Sequence, residues 1–380
     1  MGDDQQNASG VKVLFLHNIM APYRLPVFRE LSQRFDLKVF FVKVTDQSRR
    51  WEIPSEELTF NYSICRGPSM GKAKIPLNLC RELAKRKYEV VIAGETFTET
   101  IPSNLILMFY RYLTGSRLVL MTEYFELENW LQRDRPFKRF LRAAFRAYLK
   151  FLYRRCDAFV ACSSKAAEHL RGMGVAEDKI FPSPQAVFDT RLLSRTPEQR
   201  TERGKVIFLT VAYLSDRKGI DLLVEAFISL NDPAAKLIIA GDGEIRDKLH
   251  SMAAGHQNIA FAGHVDGAEK SALYQESDVF VLPSLLETWG LVVNEAMHYG
   301  LPVIVTDAMG SADLVDGNGM VVAAGDAGAL AQALKKLASS SDLRKTMGQR
   351  SLEIISTVDL NAVTVPFIDA VNHALTIQRS

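Results

Sequence analysis

Short continuous runs of apolar, largely β-branched residues alternate with longer segments of helical spacing along almost the whole chain. In the first half the runs are 11–16, 38–42, 90–93, 118–121 and 158–161. Runs that do not alternate with polar residues suit strands buried on both faces, as in a parallel sheet. Segments 25–35, 77–87, 102–113 and 164–173 lie between them and have helical spacing, as right-handed crossovers require. The pattern lapses over 181–204, a polar stretch carrying Pro182, Pro184 and Pro197. It then restarts, with strand-like runs at 206–211, 236–240, 258–261, 279–282, 302–305 and 320–322.

This pattern predicts an α/β protein of two doubly wound Rossmann-like domains, with a loose start (1–10), a first domain (11–190), a linker (191–203) and a second domain (204–358). The tail 359–380 reads as an amphipathic helix interrupted near Pro366 and crossing back to the first domain. Ligands of open parallel sheets bind outside the carboxyl ends of the strands. Two such sheets facing across a cleft would place an active site between them.

Composition narrows the class. A chain of 380 residues exceeds what one core usually organises. With 47% hydrophobic and 24% charged residues, it is neither disordered nor collagen-like. No apolar run reaches the ~20 residues that span a bilayer. Residues 1–10 lack the basic and apolar regions of a secretory leader. The cysteines Cys65, Cys80, Cys156 and Cys162 have neither metal-site nor disulfide-framework spacing. A reducing, cytoplasmic setting is expected.

Net charge is only +2, yet residues 1–200 hold 32 Lys and Arg against 22 Asp and Glu, and residues 201–380 hold 14 against 22. The basic half points to an acidic partner, either an anionic membrane surface or a phosphorylated substrate. Nucleic acid is disfavoured, because the aromatic and glycine motifs that read bases are missing.

The richest stretch for chemistry is 279–305. A strand ends at Pro283 and Ser284, a loop carries Glu287, Thr288, Trp289 and Gly290, and a helix pattern begins at Leu291. Gly290 permits close backbone approach, and the amides of Leu291 and Val292 at a helix start favour a diphosphate. Glu287 and Glu295, with seven residues between them, can accept hydrogen bonds from sugar hydroxyls. Upstream, Arg217 and Lys218 follow a strand at a turn and can neutralise a leaving diphosphate.

This stretch resembles the Glu-x7-Glu signature of retaining glycosyltransferases of family 4, and its continuation through Gly300 and Asp307 to Gly319 resembles the same family. The resemblance implies the two-domain architecture called GT-B and a nucleoside diphosphate sugar as donor. It implies Glu287 at the donor sugar, Glu295 at the ribose, and phosphate binding by Lys218. Gly243 and Val265 then fall in loops similar to those that line the nucleotide pocket. Ala212 and Tyr213 stand where the family has Gly and Arg, so Arg217 is expected to supply the missing charge beside Tyr213. Neither cofactor nor metal is expected, since nothing resembles an Asp-x-Asp motif.

In the first half, His17, Asn18, Tyr23 and Arg24 follow the first strand and are candidates for acceptor binding. The motif of a dinucleotide site is absent there. Pro22 also suits a plain helix start. Glu123, after 118–121, is a candidate to orient or deprotonate the acceptor hydroxyl, and Glu95 is a lesser one. Lys138, Arg142, Arg146 and Lys150 recur every four residues beside an apolar face, a composition suited to an anionic bilayer. The same pattern fits a helix packed on a core with a solvated back. The resulting expectation is retaining sugar transfer to a glycan or polyprenyl-diphosphate-linked acceptor at the inner face of the cytoplasmic membrane. An epimerase of the same architecture and a catalytically inactive sugar- or membrane-binding scaffold are the alternatives.

Overall fold

The computed structural model describes residues 10–44, 53, 55–70, 73–95, 100–123, 136–188 and 204–377. The expected loose residues 1–9 and the expected linker 191–203 lie outside them. Contacts divide the chain into two units, one of 1–184 with 360–380 and one of 185–359.

The sheet of the first unit uses β1 (Lys12–Ile19), β2 (Asp36–Lys43), β3 (Tyr62–Ile64), and, after a two-stranded hairpin of β4 (Ser69–Met70) and β5 (Ala73–Lys74), β6 (Val90–Glu95), β7 (Arg117–Thr122), β8 (Ala158–Ala161) and β9 (Ile180–Pro182). Its order is β3-β2-β1-β6-β7-β8-β9, and all its pairs are parallel. The five strands expected from the pattern are present, with every end within three residues of its expected position. The two outermost, β3 and β9, are three residues long, too short to show a period. The helices Leu25–Arg34, Leu77–Lys85, Ile101–Thr114, Pro136–Tyr153 and Ser164–Gly172 make the crossovers.

The second unit has β10 (Val206–Val211), β11 (Ala235–Ala240), β12 (Ile259–Gly263), β13 (Val279–Leu282), β14 (Val303–Thr306) and β15 (Gly319–Val322), in the order β12-β11-β10-β13-β14-β15. Leu237, Ile239, Val279, Val281 and Ile304 of the sheet share one core with Ile220, Val224, Leu249 and Leu334 of the covering helices. Both units are therefore doubly wound Rossmann-like α/β folds. In each, strands are added outward in one direction and then in the other, so the order reverses beside β1 in the first sheet and beside β10 in the second.

The tail departs from its expected form. Leu360–Thr376 is one helix with Pro366 inside it, rather than a helix interrupted there. An interior proline costs about 3 kcal/mol through its missing N–H and its ring. Burial beyond it offsets this: Phe367, Ala370, Val371 and Ala374 are all fully buried, and a buried Phe or Val contributes about 1.5–3 kcal/mol. The Phe367 ring lies 5.7 Å from that of Phe15 on β1. The tail thus belongs to the core of the first unit, and Ser183 Oγ donates to the Val363 carbonyl at 3.0 Å.

Replacing Phe367 by Ala should lower the stability of the first unit by about 3–5 kcal/mol. Urea unfolding of the full chain measures this, and an unchanged midpoint would remove the tail from the core.

Candidate functional site

Strands β10 and β13 are neighbours at the reversal point of the second sheet. Loops leaving such a pair diverge to opposite faces and open a crevice at their carboxyl ends. The two loops here are joined at the backbone. The amide of Leu285 donates to the carbonyl of Arg217 at 2.8 Å. Gly219, at φ 62°, lies so close to Pro283 that a Cβ would stand 2.3 Å from its carbonyl oxygen. Only glycine meets both demands. The junction fixes the short 3-10 turn Asp216–Lys218 beside the loop that carries Glu287.

Glu287 is held by its own backbone. Its amide donates to the Ala308 carbonyl at 3.0 Å and its carbonyl accepts from the Gly310 amide at 3.1 Å, which pairs the loop after β13 with the loop after β14. The carboxylate takes an ion pair from Lys218 Nζ, and Arg217 stands 4.0 Å from the same oxygen. With the Lys218 and Glu287 side chains 13% and 11% exposed, water screens this pair far less than a surface pair. The indole of Trp289 donates to Asn294 Oδ1 at 2.8 Å and Asn294 Nδ2 to the Gln185 carbonyl at 2.8 Å, which ties the loop to the helix that follows.

That helix, Leu291–His298, starts at Gly290 (φ 97°) with neither a side-chain cap nor an acidic residue in its first turn. The positive end of its dipole is left for an anion. Thr288, Leu291 and Val292 around this start are half-buried. Glu295, one turn in, accepts from Lys270 Nζ at 2.9 Å on one oxygen and from Tyr274 Oη at 2.8 Å on the other. Burial, and next the Glu295 charge, hold the Tyr274 phenol well above its usual range, so it stays a donor. Each Glu295 oxygen keeps a second lone pair for another donor.

Lys270 and Tyr274 are residues of the candidate site that sequence reasoning misses. The signal is their spacing of four on helix Gly267–Glu276, which sets both on one face. Also unannounced were the buried hydroxyls of Ser284 and Ser311, which have no hydrogen-bond partner. Single serines in loops give no periodic signal.

The remaining donor candidates lie on neighbouring strand exits. A Cβ on Gly243 would stand 2.4 Å from the Leu214 carbonyl oxygen, so that loop lies directly on the loop after β10. Tyr213 is exposed, Val265 is half-buried, and His264 is exposed beside Asp266. Among the described residues no group of three or more His, Cys, Asp or Glu is placed to hold a metal.

In the first unit the structure joins two candidates and redefines two. Arg24 donates to Glu123 Oε1 at 3.1 Å. Arg24 is only 2% exposed and also contacts Cys162 Sγ at 3.8 Å, so it is a buried support for Glu123 rather than an acceptor contact. His17 is likewise withdrawn from solvent, packed edge-on against Phe15, Phe28 and Phe41. Burial, and next the charge of Arg24, lower its pKa to about 3, which keeps it neutral. Asn18 and Tyr23 are half-buried. The Glu95 side chain and residues 124–126 lie outside the described residues.

The helix Pro136–Tyr153 also needs correction. Leu149, Leu152 and Tyr153 are buried in the core, and Phe145 and Tyr148 pack against it. Over this part the apolar face meets the sheet, not a bilayer. Arg146 and Lys150 are exposed, while the side chains of Lys138 and Arg142 lie outside the described residues.

Residues 195–353 match the family described as glycosyl transferases group 1, and residues 118–187 match glycosyltransferase family 4. The chain is 29% identical over 229 residues to the sulfoquinovosyl transferase SQD2 of Arabidopsis thaliana, covering 57% of this chain and 44% of the relative. It is 32% identical over 209 residues to the phosphatidyl-myo-inositol mannosyltransferase of Mycobacterium leprae, covering 53% and 52%. The chain thus spans about half the length of these relatives. Among solved structures it is similar to Anabaena HepE in complex with UDP and glucose, at 16% identity and a TM-score of 0.72, covering 95% of this chain and 99% of that one. It is also similar to WaaG, a glycosyltransferase of lipopolysaccharide biosynthesis, at 19% identity and a TM-score of 0.67, covering 94% and 98%. At these identities the structural likeness speaks for the fold, which is GT-B.

The neutral His17 has a consequence for acid stability. An unfolded histidine takes up its proton near pH 6.5 and the folded one near pH 3, so the unfolded chain binds more protons in that window. Stability should therefore fall as pH drops from 6.5 towards 3, by at most about 1.4 kcal/mol per pH unit from this group. Urea titrations should show a shallower fall in a His17→Phe variant, and equal slopes would contradict the assignment.

Proposed function

We propose that this chain is a glycosyltransferase of the family 4, GT-B type, which transfers a sugar, with retention of anomeric configuration, from a nucleoside diphosphate sugar to a glycan or lipid-linked acceptor. The observation that carries the reading is the meeting of Lys218, Arg217 and Glu287 at the reversal point of the second sheet, next to a helix start without a cap. Two cations and a row of amides suit a diphosphate. As the glycosidic bond breaks, negative charge grows on the leaving nucleoside diphosphate, and fixed positive groups there lower the barrier.

In this reading Lys218 moves from Glu287 to the phosphates when donor binds, and the freed Glu287 carboxylate faces the donor sugar. Glu295, steadied by Lys270 and Tyr274, accepts from the ribose hydroxyls. Thr288, Gly290, Leu291 and Val292 border the diphosphate, and Tyr213, Gly243 and Val265 border the nucleoside. Glu123, supported by Arg24, receives the proton of the acceptor hydroxyl, and Asn18 and Tyr23 help to place the acceptor. Because Lys218, Arg217 and the helix start supply the positive charge, transfer needs no metal. A membrane-bound acceptor also fits relatives such as the M. leprae enzyme, whose name gives a phosphatidylinositol substrate. We extend the proposal to peripheral contact with the inner face of the cytoplasmic membrane.

Thermal-shift measurements with UDP, GDP, ADP and their sugars should show selective stabilisation by one nucleotide. With that donor, Glu287→Gln should retain the fold and nucleotide binding but lose about 10²–10³-fold in turnover. Glu295→Gln should instead raise the donor KM by roughly tenfold or more, the loss of hydrogen bonds to a charged group. Turnover should persist in EDTA. Stabilisation by none of the nucleotides, or near-normal turnover by Glu287→Gln, would remove the site from the second unit.

A further inference from the structure

We infer that the outer face of helix Ile101–Thr114 is the surface by which the first unit docks on an anionic bilayer. This rests on the reading that the acceptor is presented at a membrane, and it moves the inserting side chains to a different helix from the one the sequence suggests.

Helices Ile101–Thr114 and Pro136–Tyr153 connect β6 to β7 and β7 to β8, three adjacent parallel strands. Right-handed crossovers between successive strands lie on one face of a sheet. Accordingly Leu107, Met108 and Tyr110 of the first helix and Leu149, Leu152 and Tyr153 of the second share one core cluster with Leu118, Leu120 and Phe159 of the sheet. The inner sides of both helices are thus accounted for.

The outer side of the first helix is apolar as well. Leu105, Phe109, Tyr112 and Leu113 are 46%, 62%, 84% and 64% exposed. Steps of four, three and one set them in one stripe along the helix. Large side chains gathered in this way on a water-facing helix mark an interaction surface, unlike single exposed leucines.

Charge selects the occupant. Helix Ile101–Thr114 contains no carboxylate, and its one cation, Arg111, turns inward to pair with Asp157. The neighbouring helix contains Lys138, Arg139, Arg142, Arg146 and Lys150 and again no carboxylate. Arg154 and Arg155 follow it and are exposed, as are Arg146 and Lys150. An apolar stripe beside a purely cationic one matches the boundary between acyl chains and anionic headgroups. A second copy of this chain fits poorly, because a two-fold interface through this face would bring the cationic helix towards its own copy. The arrangement also accounts for the helix that the sequence marks as membrane-facing: Arg146 and Lys150 face out, while Leu149, Leu152 and Tyr153 serve the core.

Sedimentation of the full chain with vesicles of phosphatidylglycerol and phosphatidylethanolamine, and in parallel with phosphatidylcholine alone, tests the proposal. The wild type should bind the anionic vesicles. A Phe109→Ser, Leu113→Ser pair should weaken that binding about tenfold or more, with circular dichroism and thermal midpoint unchanged. An Arg146→Gln, Lys150→Gln pair should weaken it by a similar factor, while the weaker binding to phosphatidylcholine stays the same. Undiminished binding by the Phe109, Leu113 pair would overturn the proposal, as would a wild type that ignores anionic vesicles. So would a wild-type dimer that this pair converts to monomer. Transfer to a soluble acceptor is independent of both pairs. Loss of vesicle binding with transfer intact, or the reverse, therefore separates this surface from the catalytic reading.

Discussion

The candidate site depends on a contact between two backbones. Gly219 rests on the carbonyl of Pro283 with no room for a Cβ, and the Leu285 amide closes on the Arg217 carbonyl beside it. Loops from adjacent strands at a reversal point otherwise diverge. Here the contact draws them together, so that a cation from one loop meets a carboxylate from the other. A side chain at position 219 would push the loops apart and separate Lys218 from Glu287. The apolar interior of the second sheet, with Val279, Val281 and Leu237 fully buried, provides the rigid base from which both loops leave.

Polar groups around that contact are arranged in pairs that leave capacity for a ligand. Glu287 is anchored through its main chain, and its side chain meets a mobile type of partner, a lysine, that a phosphate can draw away. Glu295 has the opposite arrangement, since Tyr274 is fully buried and fixes one oxygen while Lys270 fixes the other. One acid thus has a flexible cation on its carboxylate, and the other has both oxygens held. The first unit repeats the second device, with the buried Arg24 behind the partly exposed Glu123. A buried cation requires such a partner, because an unpaired charge in an apolar interior costs several kcal/mol.

The two helices on the outer side of the first sheet show how a single amphipathic pattern can serve either purpose. In Pro136–Tyr153 the side chains of Phe145, Tyr148, Leu149, Leu152 and Tyr153 turn inward, while Arg146, Lys150 and Phe151 are exposed. In Ile101–Thr114 the inner and outer faces are both apolar. Spacing alone records that a helix has an apolar face, not what covers it.

The sequence by itself determined the two doubly wound units, because strands buried on both faces must be continuously apolar and their crossovers must carry helical spacing. Within the candidate site it also marked Glu287, Glu295 and the helix start after Gly290, which sit close together along the chain, and Lys218 at a separate turn after a strand. Tertiary structure alone decided what those groups touch: the pairing of Lys218 with Glu287 across 69 positions, of Arg24 with Glu123 across 99, and of Glu295 with Lys270 across 25. It also decided that His17 is a core ring and that the tail helix continues through Pro366. Each of these outcomes is set by burial and by contacts between distant segments, energies that no local window of residues contains.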